Sequence, residues 1–254
     1  MLNLVKMEWY KLRTTKLFIV LMAIGFALNV IICAVIPIVV KLVAPNEPAA
    51  LSAISGSIAS PFAGLLMIMV YISAVSFMYS DFAGGYIKNI AGQVKNRGSI
   101  VIAKLIVVAI HNLIFFAVGS IGNVLGSALG GSLVVDSEIA GGVFTFLLRW
   151  LLSIAICSVL MLFAVGIKTK SFAIVMAVIF ATGSLNLLYL GVNTAIMTIF
   201  KTEVNVGNLF PDTLMGSVDA ITNTNVINAV LVSAVFIVLF TVLTYVIFKK
   251  RDVK

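Results

Sequence analysis

The chain has 254 residues, 62% of them hydrophobic and 10% charged, with a mean hydropathy of +1.20. Soluble domains are nearer half apolar and a quarter charged, so this composition excludes an ordinary soluble enzyme and indicates an all-α integral membrane protein. The formal charge of +8 would suggest nucleic acid as partner of a soluble chain, but its distribution here follows membrane orientation, and no nucleic-acid role is expected.

At about 20 apolar residues per crossing, the sequence has room for six spans in one membrane domain over residues 1–254. Residues 2–16, LNLVKMEWYKLRTTK, precede the first apolar run. Leu2, Val5, Trp9 and Leu12 form a narrow apolar stripe, with Lys6, Lys11, Arg13 and Lys16 at polar positions. Such an amphipathic helix rests in the membrane interface, with Trp9, Lys11 and Arg13 as anchors. The run from about 17 to 40 is too long for a signal-peptide core and lacks a small-residue cleavage site, so it reads as the first span. Pro37 marks its far end, and 41–60, with Pro45 and Pro48, reads as a loop.

A second span, about 62–80, leads into the short basic stretch 81–104, DFAGGYIKNIAGQVKNRGSIVIAK. The third span, about 100–126, carries His111, the chain's single histidine, next to Asn112. Gly122, Gly126 and Gly130 recur every four residues there, a pattern that lets helices approach closely in lipid. After a loop with Asp136 and Glu138, the fourth span, about 143–167, has Arg149 in its outer third, from where a long cation can reach the headgroups. A turn at 168–170 and a fifth span, about 172–191, precede the polar segment 192–228. Within that segment TAIMTIF is too short to cross a bilayer and reads as re-entrant or interfacial. The sixth span, about 229–248, ends in KKRDVK. Cys33 and Cys157 sit in apolar runs and read as small buried hydrophobes.

Fourteen of the 17 Lys and Arg residues fall in the N-terminal helix, the 81–104 stretch, the 168–170 turn and the C-terminal tail. By the positive-inside rule that face is cytoplasmic, with both termini on it. Six of the nine acids, Glu47, Asp136, Glu138, Glu203, Asp212 and Asp219, fall on the other face.

One histidine cannot supply an HExxH zinc site, no metal site is expected, and neither a GxSxG elbow nor a GxxxxGK[ST] phosphate loop occurs. The chain therefore reads as no enzyme, and it does not bind and hydrolyse ATP by the usual device. Among the polar residues within the predicted spans are His111, Asn112 and Arg149. Because such groups are costly in lipid, they read as a candidate translocation path or as helix-to-helix contacts. An ion-coupled secondary transporter is the alternative, although it would be expected to carry intramembrane acids or a repeat. A membrane-embedded enzyme is a more distant one, since the available acids are scattered over opposite faces.

In the basic stretch, Asp81 is followed by Gly85, Lys88, Arg97 and Lys104, between two apolar runs. Phe82, Tyr86, Ile87 and Ile90 beside Lys88 and Lys95 offer apolar anchors with a basic rim, the form of a small protein interface. This arrangement resembles the first cytoplasmic loop of type-2 ABC exporter permeases, in which an acid, a Gly-Thr pair and spaced basic residues bracket a short coupling helix. Tyr86 stands where that family usually has Thr or Ser. The resemblance implies a coupling loop at 81–99, with Asp81, Phe82, Gly85, Tyr86, Lys88, Arg97 and Lys104 engaging an ATPase. It also implies two copies of a separate cytoplasmic ATPase carrying ATP and Mg2+, a second permease, identical or paralogous, and a place in the bacterial cytoplasmic membrane among its lipids. The compact size is similar to permeases that expel lantibiotics, bacitracin-like antibiotics or cytolytic peptides.

Overall fold

The computed structural model describes residues 2–43, 51–60, 65–83, 98–167, 169–201, 205–220 and 222–250. Helix α1 (Leu2–Thr14) ends where Thr14 and Thr15 turn their hydroxyls back onto the carbonyls of Tyr10 and Lys11. The Lys11 carbonyl is one of those that the last turn of a helix leaves free. Only Thr15 separates α1 from α2 (Lys16–Val43). The predicted break at Pro37 does not occur: α2 continues through a buried Pro37 for six more residues. A proline's missing hydrogen bond is tolerated inside a membrane helix when neighbouring helices pack around it.

Residues 51–60, predicted as loop, form a short strand β1 (Ser52–Ala53) and a helix α3 (Ile54–Ala59). Strand β1 pairs in parallel with β2 (Leu133–Val134), in the register Ser52 to Leu133 and Ala53 to Val134. Helix α3 can lie flat on the fourth long helix because Gly142 has no side chain there; a Cβ would come within 2.5 Å of the Ser55 carbonyl oxygen. Helices α4 (Leu65–Ala83), α5 (Ser99–Leu129) and α6 (Ile139–Met161) form the centre of the molecule. Helix α6 continues as a π-turn over Leu162–Gly166.

The predicted fifth span is two helices, α7 (Lys170–Thr182) and α8 (Leu185–Phe200), bent by 68°. Gly183 makes the break. It takes the left-handed conformation at φ 66°, and the Ser184 amide bonds back to the Ile179 carbonyl, a common way to end a helix. The TAIMTIF segment is thus not a separate element but the second half of α8. A 3-10 turn (Val206–Leu209), α9 (Pro211–Ser217) and α10 (Val226–Lys250) complete the described chain.

Four helices, α2, α5, α6 with its π-turn and α10, are long and apolar enough to cross a membrane, and the bent α7–α8 pair makes five if taken as one span. Helix α4 carries a shorter apolar run, Leu66–Asp81. The chain is therefore an all-α, multi-pass membrane protein. Tyr71, Phe77 and Met78 of α4, Phe115 and Phe116 of α5 and Leu160 and Met161 of α6 fill the central core. The most apolar stretches of α5 and α6 are 61% buried and those of α2 and α10 only 11%, so the last two face outward along most of their length. The glycine pattern lies at the α2–α5 crossing: a Cβ on Gly126 would stand 2.6 Å from the Val30 carbonyl oxygen, and one on Gly130 2.8 Å from that of Ala34.

Candidate functional site

The ends of α1, α4 and α5 meet at the basic end of the bundle, and four charged side chains meet between them. On α1, Glu8 and Lys11 are one turn apart and share a face with Leu12, which packs into the core. On α4, Asp81 stands one turn beyond Phe77; on α5, Lys104 is in the second turn. The Lys104 ammonium is 3.1 Å from Glu8 Oε2 and 2.8 Å from Asp81 Oδ2, while that of Lys11 is 3.4 Å from Glu8 Oε1 and 2.9 Å from Asp81 Oδ1. Each carboxylate thus gives one oxygen to each ammonium, and the ring carries no net charge.

Glu8 and Lys104 are 0% and 1% exposed, Asp81 is buried beside them, and Lys11 keeps 26% of its side chain exposed. The Lys104 ammonium also lies 4.9 Å from the centroid of the Phe77 ring, a favourable placement of a cation on an aromatic face. Burial pulls the Lys11 ammonium down, but the hydrogen bond to Asp81 and the charges of Glu8 and Asp81 outweigh it, so its pKa stands above the ordinary value. Taking four charges out of water is expensive, and such a ring adds little net stability compared with apolar packing. What it adds is position, because any one of these elements shifting would leave a buried charge uncompensated.

The position matters because Asp81 and Lys104 lie on the two helical stems that flank residues 84–97. The ring holds α1 to both stems at once. The outgoing stem has a second restraint at Gly98, where the Tyr245 ring of α10 occupies the place a Cβ would take.

Two further polar groups lie deeper. His111 is 0% exposed, with Nε2 2.9 Å from Ser73 Oγ of α4 and Nδ1 3.0 Å from Asn112 Oδ1. The Phe18 and Phe115 rings stand 5.2 and 4.8 Å from the imidazole. The Asn112 amide donates to Ser153 Oγ at 3.1 Å and to Cys157 Sγ at 3.3 Å on α6, so the pair links α4, α5 and α6. Arg149 does not turn outward to the headgroups. Its guanidinium donates to the Ala59 carbonyl at 2.8 Å, to the Ser60 hydroxyl and to the Val218 carbonyl at 3.4 Å. Ala59 ends α3, where unpaired carbonyls and the helix dipole favour a cation.

The family model described as ABC-2 family transporter protein matches residues 4–184, more than half of the chain and all four members of the charged ring. The chain belongs to the ABC-2 transporter family. Among curated proteins, none matches the sequence. As an ABC-2 permease it is the membrane subunit of an ABC transporter, a transport subunit rather than the catalyst, and the family works with an ATPase subunit.

Of the coupling residues expected in this permease, Asp81 and Lys104 are brought into contact. Phe82 falls within α4, but its side chain lies outside the described residues, as do Gly85, Tyr86, Lys88 and Arg97. Of the three anchors, Trp9 is half-buried against the core, Arg13 is exposed, and Lys11 turns inward to the ring rather than outward. The buried face of α1 is centred on Glu8 and Leu12, and Leu2 at the head of the predicted stripe is 70% exposed. Glu8 was missed by sequence reasoning. A signal existed: it is the sole acid in the first 46 residues, four positions before Leu12 and so on the packing face.

Proposed function

We propose that this permease, with two copies of a cytoplasmic ATPase and a second permease subunit, identical or paralogous, exports amphipathic peptides, toxins or antibiotics from the bacterial cytoplasm or plasma membrane. Counting α4 and the α7–α8 pair as one span each gives six spans, with both termini cytoplasmic. The observation that carries the reading is the buried ring of Glu8, Lys11, Asp81 and Lys104. It makes α1 and both stems of the 84–97 segment one mechanical unit, suited to passing a push received at that segment into α4 and α5. In this mechanism ATP binding closes the ATPase pair, the segments carrying Phe82, Gly85, Tyr86, Lys88 and Arg97 move with it, and the helices shift between two packings.

We place the translocation path beside the α4–α5–α6 contact, with His111, Asn112 and Arg149 on its protein side. Opening there would break the bonds from His111 to Ser73 and from Asn112 to Ser153. An amphipathic cargo suits a route with few polar groups, since an apolar cavity reached from the bilayer needs no selective polar site.

The test is co-purification of the ATPase with Tyr86→Asp and Phe82→Asp variants. Loss of the ATPase from a chain that still inserts and melts normally is expected; unchanged assembly would refute docking at this segment. A cysteine at Thr222 in a chain lacking Cys33 and Cys157 should react with an impermeant thiol reagent added outside the cell, and reaction only after lysis would reverse the topology.

A further inference from the structure

At the opposite end of the bundle from the charged ring lies a cavity of about 760 Å3. Its walls come from Leu28 and Ile32 of α2, Gly56 of α3, Leu66 and Met69 of α4, and Asn123 of α5. The volume is that of a small-molecule site, and so is the mixture of a largely apolar wall with a few polar groups. None of the described residues lining it is charged.

The side-chain amides in the wall are already engaged with the protein. The Asn29 amide donates to the Gly119 carbonyl at 2.8 Å, and the Asn123 amide donates to the carbonyls of Ser57, at 3.2 Å, and Ser60. The Asn123 side-chain oxygen accepts from the Cys33 thiol at 3.3 Å. What these side chains offer an occupant is therefore mainly their apolar surface. Leu28 and Ile32 are also 37% and 41% exposed on α2, a helix whose outward face is apolar along its length. The rim of the cavity thus opens on the side of the molecule that meets lipid tails. An occupant arriving from there would be a hydrocarbon chain, for which an uncharged, largely apolar wall whose amides are bonded within the protein carries little desolvation penalty.

We propose that this cavity is a binding site for the alkyl chain of an amphiphile, set within one permease subunit between α2, α3, α4 and α5. The same chemistry is supplied by a bilayer phospholipid and by an exported single-chain amphiphile. The site does not depend on the coupling reading and would stand if that reading failed.

Gly56 provides the means to fill it. A Cβ there has nothing within 4 Å, so Gly56→Phe extends into open space rather than into backbone. The experiment reconstitutes the full chain in nanodiscs of phosphatidylethanolamine and phosphatidylglycerol with one of two probes. One is a phospholipid bearing a diazirine on its acyl chain, the other a dodecyl amphiphile bearing the same group, and labelled peptides are mapped by mass spectrometry. Labelling of residues 28–33, 51–57 and 66–69 should saturate and be competed away by the unlabelled analogue. Labelling of the exposed α10 face at Val235, Val238 and Val242 should rise linearly and resist competition.

Each methylene shut out forfeits about fourfold in affinity, so Gly56→Phe should lower the saturable labelling about tenfold or more. Gly56→Ala should leave it intact. Saturation by the phospholipid alone identifies a resident lipid, saturation by the dodecyl probe alone a cargo-type amphiphile, and saturation by both a shared site. Cavity peptides that label no more saturably than the α10 face overturn the proposal in the wild-type chain, whatever the variants do. Saturable labelling undiminished in a Gly56→Phe chain of normal melting temperature overturns it as well.

Discussion

Removing Glu8 tests the charged ring most sharply. In Glu8→Ala, Lys104 stays 1% exposed with one carboxylate in place of two, and the site changes from neutral to a net charge of +1. Breaking a buried pair on one side costs about 3–5 kcal/mol. Lys11→Ala also leaves Glu8 and Asp81 sharing one cation, but Lys11 keeps a quarter of its side chain in solvent, so water reaches the vacated place and the cost should be smaller, about 1–3 kcal/mol. The double variant Glu8→Leu with Lys104→Met removes one acid and one base and leaves the Lys11–Asp81 pair at 2.9 Å. Neutrality is restored, and the cost should fall to near zero because apolar replacement of a whole buried pair is often neutral or better. Thermal unfolding in mild detergent reads all three, and the double-mutant cycle isolates the coupling between Glu8 and Lys104. The difference between Glu8→Ala and wild type should persist in high salt, since buried pairs are weakly screened. Equal costs for Glu8→Ala and Lys11→Ala, or a double variant as costly as the sum of its singles, would refute the argument that the ring is buried and mutually compensating.

Gly126→Ala should destabilise the chain by about 1–3 kcal/mol, because its Cβ would stand 2.6 Å from the Val30 carbonyl oxygen and push α2 off α5; the melting temperature of the purified chain measures it. Arg149→Met leaves the Ala59 carbonyl and Ser60 hydroxyl without their cationic donor. It should cost about 1–3 kcal/mol, and hydrogen exchange should quicken in residues 51–60 before other segments. Lys11 gains stability from a raised pKa, so its contribution is complete below its unfolded value near 10.5 and is lost as pH rises through the folded value. A melting curve in which Lys11→Ala and wild type converge only above that value is expected, and convergence near neutral pH would contradict it. The hydrogen bond from Ser55 holds the Asp136 carboxyl below the usual 3.8, so the contact of α3 with residue 136 should persist above that pH and loosen as pH falls through the folded value. Protease access to residues 51–60 reports it.

The long helices were legible because in a membrane protein the same apolar residues that favour a helix also set its length. Helix α5 extends only one residue earlier and three later than expected, and α10 three earlier and two later. The departures come where one residue's local rule competes with packing. Pro37 looked like a stop, but its surroundings inside the bundle let α2 run through it. Gly183 lies inside the apolar run expected as the fifth span, and its left-handed backbone bends that span by 68°. Residues 51–60 carry no helix-length pattern, and their fold depends on partners far away in sequence, with β2 fixing the strand and Gly142 and Arg149 receiving α3. The same distinction holds at the ring. Asp81 and Lys104 stood out through their spacing, whereas Glu8 gains its meaning only when α1 is laid across the stems 70 to 100 residues further on.

Under the proposed function this permease is the membrane half of an ATP-driven exporter, with its charged ring at the joint. Purification of the tagged chain from its native host in mild detergent, with mass spectrometry of its companions and an ATPase assay on the product, tests it most directly. An ATPase subunit that co-purifies, and hydrolysis that rises with an amphipathic peptide in wild type but not in Glu8→Ala, is the result this account predicts. A chain that arrives without an ATPase, or whose ATPase responds to peptide as well without Glu8 as with it, would contradict it.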